Sequence, residues 1–150
     1  MTGNAGGPDP SAGDRATILL VEDDEVDIQG FRRAMARQGL ANPLVIVNDG
    51  IEALQQLRGQ GVPPLARPYV IVLDLNLPRL SGIELLQELR ADSELRRSVV
   101  FVHTTSRAEQ DKVQAYQLNI AGYIVKSDPN GGLQAAVKML GHYWRVVELP

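Results

Sequence analysis

Five short runs of consecutive apolar residues, separated by segments with helical spacing, constrain the fold of this 150-residue chain more than any other feature. The runs are residues 18–21, 44–47, 69–73, 99–102 and 123–125. They are rich in β-branched residues and apolar at successive positions, as strands are when helices cover both faces of a parallel sheet. The runs therefore predict five strands that are buried on both faces.

The segments between the runs carry apolar residues at the spacing of an amphipathic helix. The clearest stripe is Leu133, Val137, Leu140 and Trp144, and a shorter one holds Val113 and Tyr116; we interpret both as core contacts. Five strands alternating with five helices predict an α/β fold. The expected architecture is a (βα)5 doubly wound parallel sheet with the flavodoxin-like strand order 2-1-3-4-5.

The chain divides into three predicted parts. Residues 1–15 contain mostly Gly, Pro, Asp, Ser and Ala and are expected to form a flexible tail. Residues 16–143 are expected to form one folded domain, because they hold all the strand and helix patterns. Residues 144–150 begin at the last residue of the final helical stripe, carry few charges and are expected to form a C-terminal extension.

Composition excludes several classes of function. The net charge is −3 with scattered Lys and Arg, so no nucleic acid or anionic membrane is expected as a partner. No run of the sequence approaches the roughly eighteen apolar residues that cross a bilayer. The absence of cysteine excludes disulfide and thiolate chemistry and fits a cytoplasmic location. No glycine-rich phosphate loop follows the first strand, so no nucleotide cofactor is expected.

Chemically useful side chains follow four of the predicted strands at their carboxyl ends, where open α/β sheets bind ligands. Glu22 and Asp23 follow the first strand, Asp74 the third, Thr104 the fourth and Lys126 the fifth. Clustered carboxylates need a compensating cation, and their hard oxygens suit Mg²⁺ or Mn²⁺. A carboxylate beside a divalent metal, a hydroxyl and an ammonium is a workable phosphoryl-transfer site.

Each of these residues also has an ordinary structural interpretation. An acid after a strand is often a helix N-cap, so Asp23 or Asp24 could cap the first helix as readily as bind metal. A lone lysine is usually a solvated charge and a lone threonine a turn hydroxyl. Asp74 is harder to explain in this way, because a carboxylate after four apolar residues costs free energy unless it is paired. His103 and His142 have no ligand-spaced partners and are interpreted as structural.

Four sequence motifs resemble the receiver domain of two-component response regulators. They are ILLVEDD at residues 18–24, VLDLNLP at 72–78 with Gly82, HTTS at 103–106, and GYIVK at 122–126. The resemblance implies that Asp74 accepts a phosphoryl group from a histidine kinase. The protein would then be a signalling switch rather than an enzyme with a separate substrate.

The resemblance also implies roles for the other residues at the strand ends. Glu22 and Asp23 match the acidic pair that positions Mg²⁺, and Asn76 matches the residue whose backbone carbonyl completes the metal site. Each role is implied only for a residue that matches a position of the family motifs. Thr104 and Tyr123 match the hydroxyl and the aromatic side chain that switch on phosphorylation. Lys126 matches the catalytic lysine that pairs with the phosphoryl group.

A narrower resemblance is to the stand-alone regulators paired with bacterial and cyanobacterial phytochromes. It is carried by the long loop at residues 59–68 and the apolar ending at 142–150. This resemblance implies a phytochrome as the kinase. It also implies a homodimer formed through the helix 4, strand 5, helix 5 face and the C-terminal extension. The alternative is an extension that folds back over its own subunit.

Two positions depart from the family pattern, and two rival functions stay open. Glu22 stands where Asp is commoner, and its extra methylene permits a water-mediated metal contact. Ser127 stands where a proline usually follows the lysine, which puts the geometry of Lys126 in doubt. One rival is a receiver-like adaptor that works without phosphorylation. The other is an aspartate-nucleophile phosphohydrolase, which Asp74-Leu75-Asn76 matches poorly.

Overall fold

The computed structural model describes residues 16–126 and 132–150. The predicted tail at residues 1–15 and the departure at Ser127 lie outside the described residues. The strands are β1 (Thr17–Val21), β2 (Leu44–Val47), β3 (Tyr69–Leu73), β4 (Val99–Thr104) and β5 (Gly122–Val125). The helices are α1 (Glu25–Arg37), α2 (Gly50–Arg58), α3 (Gly82–Ala91), α4 (Glu109–Gln117) and α5 (Gly132–Val146).

The five strands form one parallel sheet in the order β2-β1-β3-β4-β5, which confirms the predicted topology. Val21 at the end of β1 pairs with Val47 of β2 and Leu73 of β3, and Leu73 pairs with Val102 of β4. The carboxyl ends of the strands are therefore nearly level. Residues that follow them emerge along one edge of the sheet.

Successive strand residues point into two separate cores, because side chains alternate between the faces of a sheet. Leu19 and Leu73 belong to the core under α2, α3 and α4, whereas Leu20 and Val72 belong to the core under α1 and α5. Every residue of β1 and β3 is buried. This two-sided burial explains why these strands are apolar at nearly every position.

Helix α4 departs from its predicted role in the core. Ala115 is its one buried residue, while Val113 and Tyr116 are 46% and 47% exposed. The prediction that Val113 and Tyr116 are core contacts was therefore wrong. The short α4 covers the sheet with a small side chain, and its larger apolar side chains remain in solvent.

Helix α5 continues past the predicted boundary of the folded domain. It ends at Val146, so the proposed division between residues 143 and 144 falls inside it. Trp144 is 3% exposed and packs in the core under α1 and α5, and Leu149 packs against the same cluster. Part of the ending thus lies over its own subunit, in agreement with the alternative interpretation of the extension. Val146 is 82% exposed.

Candidate functional site

Backbone hydrogen bonds continue the sheet one residue past several strands and thereby fix the residues of the candidate site. The Glu22 amide donates to the Val47 carbonyl at 3.0 Å, and the Asp74 amide donates to the Val21 carbonyl at 3.1 Å. The Lys126 amide donates to the Thr104 carbonyl at 2.8 Å. Site residues anchored by strand backbone are held more firmly than residues on loops.

Three carboxylates meet at this edge of the sheet. One oxygen from each of Glu22, Asp23 and Asp74 lies within 4.8 Å of the other two. Glu22 and Asp74 are buried, while Asp23 is exposed. Carboxylate oxygens at this separation suit a hard divalent cation, and the exposed Asp23 leaves one side open to water. The residues present therefore fit the divalent metal site predicted from the sequence.

The helix cap that follows β1 separates the roles of two neighbouring acids. Asp24 is the N-cap of α1, and its Oδ1 accepts a hydrogen bond from the Asp27 amide at 3.1 Å. Asp23 does not cap the helix and lies in the group of three carboxylates. The sequence left capping or metal binding open for either residue, and the geometry assigns capping to Asp24.

Lys126 lies against three carboxylates. Its Nζ is 2.5 Å from Glu22 Oε1, 2.8 Å from Asp27 Oδ2 and 2.9 Å from Asp74 Oδ2. The lysine side chain is only 8% exposed. Burial alone would lower the pKa of Lys126, but the hydrogen bonds that it donates to Asp27, Glu22 and Asp74 outweigh burial and raise the pKa above its usual range. The side chain is therefore a fixed ammonium inside the acidic site.

Glu22 is the most deeply buried acid of the site, at 2% exposure. Its Oε2 accepts hydrogen bonds from the amides of Asp23 and Asp24, both at 3.2 Å. Burial raises the pKa of Glu22 to about 7, although its hydrogen bond and charge contact with Lys126 oppose the increase. One lysine thus does not fully compensate the negative charge of the site, which favours a further cation.

Asp74 is held by donors on both carboxylate oxygens. The Asn76 amide donates to Oδ1 at 3.1 Å, and Lys126 donates to Oδ2. A Cβ added to Gly82 would lie 2.5 Å from the Asp74 carbonyl oxygen and 2.5 Å from Leu75 Cα, so only glycine fits there. This close approach sets the path of the loop that carries Asn76. The role of the Asn76 carbonyl as a metal ligand stays a prediction.

The two predicted switch residues share a partner. Thr104 is fully buried, and its Oγ1 accepts a long hydrogen bond from the Ser106 amide at 3.4 Å. The Tyr123 hydroxyl donates to the Ser106 carbonyl at 2.9 Å. Ser106 Oγ in turn donates to Asp111 Oδ2 on α4 at 2.6 Å. The loop after β4 therefore connects Thr104 and Tyr123 to α4, and neither Ser106 nor Asp111 was expected from the sequence.

Asp27 was not predicted from the sequence to lie near the site, and His103 was predicted to be structural. Asp27 contacts Lys126, but an acid in the first turn of a helix usually complements the helix dipole and gives no other signal. His103 is buried, and burial, followed by the nearby charge of Lys126, lowers its pKa to about 4. His103 is thus neutral at pH 7. His142 is exposed on α5.

An ion pair holds the loop after β3 against α2. Arg79 donates to Asp49 Oδ2 through Nε at 2.9 Å and through Nη2 at 2.6 Å. Asp49 is buried and also caps α2 by accepting from the Glu52 amide at 2.8 Å. Burial would raise the pKa of Asp49, but the Glu52 amide and the Arg79 guanidinium together hold it below its usual value.

Comparison with known proteins identifies the family. The family model of the response regulator receiver domain matches residues 18–138. The chain belongs to the response regulator receiver family. Phosphoryl acceptance, divalent metal binding and a histidine kinase partner fit membership of this family. Within residues 16–126 and 132–150 of this receiver, no helix is both long and apolar enough to cross a membrane.

The receiver is similar to regulators of phytochrome systems. It is 36% identical over 135 residues to Response regulator Rcp1 of Synechocystis sp.. The alignment covers 89% of this chain and 92% of that protein. The crystal structure of the phosphorylated cyanobacterial phytochrome response regulator RcpA superposes with a TM-score of 0.81. It is 38% identical and covers 91% of this chain and 99% of RcpA. The Mn²⁺-bound form of Rcp1 has a TM-score of 0.78 at 34% identity, covering 90% of this chain and 99% of that one.

Proposed function

We propose that this receiver accepts a phosphoryl group on Asp74 from a histidine kinase and signals through the loop after β4. The observation that carries the proposal is the position of the buried Asp74 carboxylate. It lies between the ammonium of Lys126 and the carboxylates of Glu22 and Asp23. A nucleophilic carboxylate needs positive charge beside it, here from Lys126 and from a cation held by the carboxylates, because the incoming phosphoryl group is itself negatively charged.

The chemistry follows from these positions. An Asp74 carboxylate oxygen forms the new bond to phosphorus as the bond from phosphorus to the kinase imidazole breaks, and the bonding electrons leave with the imidazole. Lys126 donates to a phosphoryl oxygen in place of the Asp74 oxygen that it now contacts. The buried hydroxyl of Thr104 donates to another phosphoryl oxygen. The acyl phosphate that results is hydrolysed by water to regenerate Asp74.

Glu22, Asp23, Asp74 and the backbone carbonyl of Asn76 are proposed to hold Mg²⁺, with Mn²⁺ as a substitute. When bound, the metal neutralises charge on the phosphoryl oxygens. The close group of three carboxylates and the high pKa of Glu22 support this assignment. The length of the Glu22 side chain permits either a direct or a water-mediated contact.

Movement of Thr104 toward the phosphoryl group is proposed to carry the signal. Ser106 donates to Thr104 and accepts from Tyr123, so a shift of the Thr104 hydroxyl disturbs the hydrogen bond that Tyr123 donates to Ser106. Ser106 is also bonded to Asp111 on α4. The proposed output of phosphorylation is therefore a change in the surface formed by α4 and β5.

The kinase is proposed to be a phytochrome, which the similarity to RcpA supports. A cytoplasmic location belongs to the same proposal and fits the absence of cysteine.

The phosphorylation test uses acetyl phosphate and Mg²⁺ with intact-mass analysis. Wild type should gain one phosphoryl group and Asp74→Asn none. Asp24→Asn is a matched control, because asparagine also caps helices and should leave labelling unchanged. Stoichiometric labelling of Asp74→Asn would overturn the assignment.

A homodimer through the α4, β5, α5 face and the segment after α5 is also proposed. Val113 and Tyr116 on α4 and Val146 at the end of α5 expose apolar surface, as interfaces do. Trp144 is excluded as an interface residue by its burial in its own subunit. Sedimentation velocity at micromolar concentration should show a dimer that Val146→Asp weakens. Val26→Asp is the matched control, since Val26 is 75% exposed at the start of α1, which is not part of the proposed face. A monomeric wild type, with and without beryllofluoride, contradicts the dimer.

A further inference from the structure

Lys126 has one carboxylate partner that lies outside the proposed metal and phosphoryl site. Asp27 Oδ2 is 2.8 Å from Lys126 Nζ, as close as the Asp74 oxygen at 2.9 Å. Asp27 does not belong to the group of three carboxylates that fit a metal. An ammonium carries three protons, so Glu22, Asp27 and Asp74 together satisfy all of its donors.

The position of Asp27 is fixed by the start of α1. The Asp27 amide donates to the side chain of the N-cap Asp24, which locks the first turn of the helix. The carboxylate itself is 35% exposed, whereas Glu22 and Asp74 are almost fully buried. Asp27 therefore reaches Lys126 from the solvent side, on a helix that none of the proposed chemistry moves.

Under the proposed function, the other two partners of Lys126 change during the reaction. Glu22 becomes part of the metal site, and the Asp74 oxygen becomes part of the acyl phosphate. Of the three contacts of the Lys126 ammonium, only the one with Asp27 is the same before and after phosphotransfer. We propose that Asp27 is a positioning residue that holds the Lys126 ammonium over the phosphoryl site throughout the reaction cycle; this proposal rests on the proposed function.

The need for such a residue follows from the lysine side chain. Its four-carbon stem is flexible, and holding it in one rotamer costs side-chain entropy unless hydrogen bonds fix its end. Among the described residues, the Lys126 ammonium is held by Asp27 of α1 and by Glu22 and Asp74, which directly follow β1 and β3. Without Asp27, the ammonium loses the partner that does not react. Asp27→Ala should therefore slow phosphorylation by roughly tenfold, as misplaced catalytic groups do.

The test is a double-mutant cycle on the rate of phosphorylation by acetyl phosphate at saturating Mg²⁺. Wild type, Asp27→Ala, Lys126→Met and the double variant are compared. Asp27→Ala should be slow in the wild-type background and should change the rate by less than about twofold in the Lys126→Met background. Asp27→Asn keeps an acceptor oxygen and should recover part of the lost rate. Circular dichroism confirms that each variant is folded.

Glu25→Gln is the control for charge alone. Glu25 is in the same helical turn as Asp27, accepts a hydrogen bond from Gln29 and does not contact Lys126. The phosphorylation rate of Glu25→Gln should therefore match that of wild type. If Lys126→Met is too slow to measure, the Lys126 ammonium resonance in NMR decides, because Asp27→Ala should shift it and Glu25→Gln should not. Equal slowing in both backgrounds, an unchanged rate in Asp27→Ala, or an unchanged ammonium resonance overturns the proposal. A wild type that is not phosphorylated at all refutes the proposed function instead.

Discussion

Removal of the Lys126 ammonium is the perturbation for which the structure gives the clearest magnitude. Lys126→Met keeps the length and much of the shape of the side chain but removes its charge and donors. Glu22 keeps two backbone amides and Asp74 keeps one, while Asp27 is 35% exposed and turns to water. The cost therefore falls on Glu22 and Asp74, which are left buried with no cation.

Two estimates bound the loss of stability. Breaking a buried ion pair by removing one partner costs about 3–5 kcal/mol. Protonation limits this cost, because one proton on Glu22 relieves most of the repulsion. Because burial already raises the pKa of Glu22 to about 7, taking up that proton in the folded protein at pH 7 costs little, and the loss should lie at the lower end of this range. We therefore expect Lys126→Met to lose about 3 kcal/mol of unfolding free energy without metal.

Urea unfolding at pH 7, in EDTA and in millimolar Mg²⁺, measures this loss. A loss of about 3 kcal/mol shifts the midpoint by about 1.5 M if the m-value is about 2 kcal/mol per M. Mg²⁺ at about a hundred times its dissociation constant restores about 2.7 kcal/mol. The variant should gain more from Mg²⁺ than wild type does, because no lysine competes for Glu22.

Lys112→Met is the control for loss of a lysine charge. Lys112 is 48% exposed and pairs with Glu109 at 3.0 Å within α4, so its removal should cost less than about 0.5 kcal/mol. The reasoning is refuted if Lys126→Met in EDTA stays within about 0.5 kcal/mol of wild type. It is also refuted if Mg²⁺ stabilises both proteins equally.

Three further predictions concern residues around the site. Arg79→Ala leaves the buried Asp49 carboxylate without its guanidinium and should cost about 1–3 kcal/mol in urea unfolding; an unchanged midpoint contradicts this. The pKa of His103 is lowered to about 4 from 6.5, so below pH 6.5 the unfolded chain binds a proton that the folded chain does not. The contribution of His103 to stability should fall by up to about 3 kcal/mol from pH 6.5 to pH 4, while the raised pKa of Glu22 acts in the opposite direction in both proteins. His103→Phe should therefore gain stability relative to wild type as the pH falls; equal pH slopes refute the assignment. Trp144→Glu puts a charge into the core and should lower the melting temperature followed by circular dichroism, whereas a folded monomer of wild-type stability would show an interface role.

The sequence was sufficient to predict the sheet and the meeting of its functional residues. Apolar runs such as residues 69–73 have no solvated face, which requires helices on both sides and a parallel sheet. Parallel strands end at one edge, so Glu22, Asp74 and Lys126 had to emerge together once the strands were identified. In the structure, Lys126 donates hydrogen bonds to both Glu22 and Asp74.

Other features depend on packing that no local pattern records. Asp27 looks like any acid in a first helical turn, and only the direction of α1 relative to β5 brings it to Lys126. Val113 and Tyr116 have the spacing of core residues, but α4 buries only Ala115 against the sheet. Trp144 was predicted as the last residue of the helical stripe, but the predicted domain boundary placed it in an extension; α5 continues through it and packs it in the core.

Chemical mapping of the phosphoryl group tests the central claim most directly. The protein is phosphorylated with acetyl phosphate and Mg²⁺, reduced at once with borodeuteride, and digested for tandem mass spectrometry. Borodeuteride reduces an acyl phosphate to the alcohol and leaves a free carboxylate unchanged. We expect a deuterium-labelled homoserine at position 74 and no label in protein that was not phosphorylated. Label at Glu22, Asp23 or any other acid, with Asp74 unmodified, would contradict it.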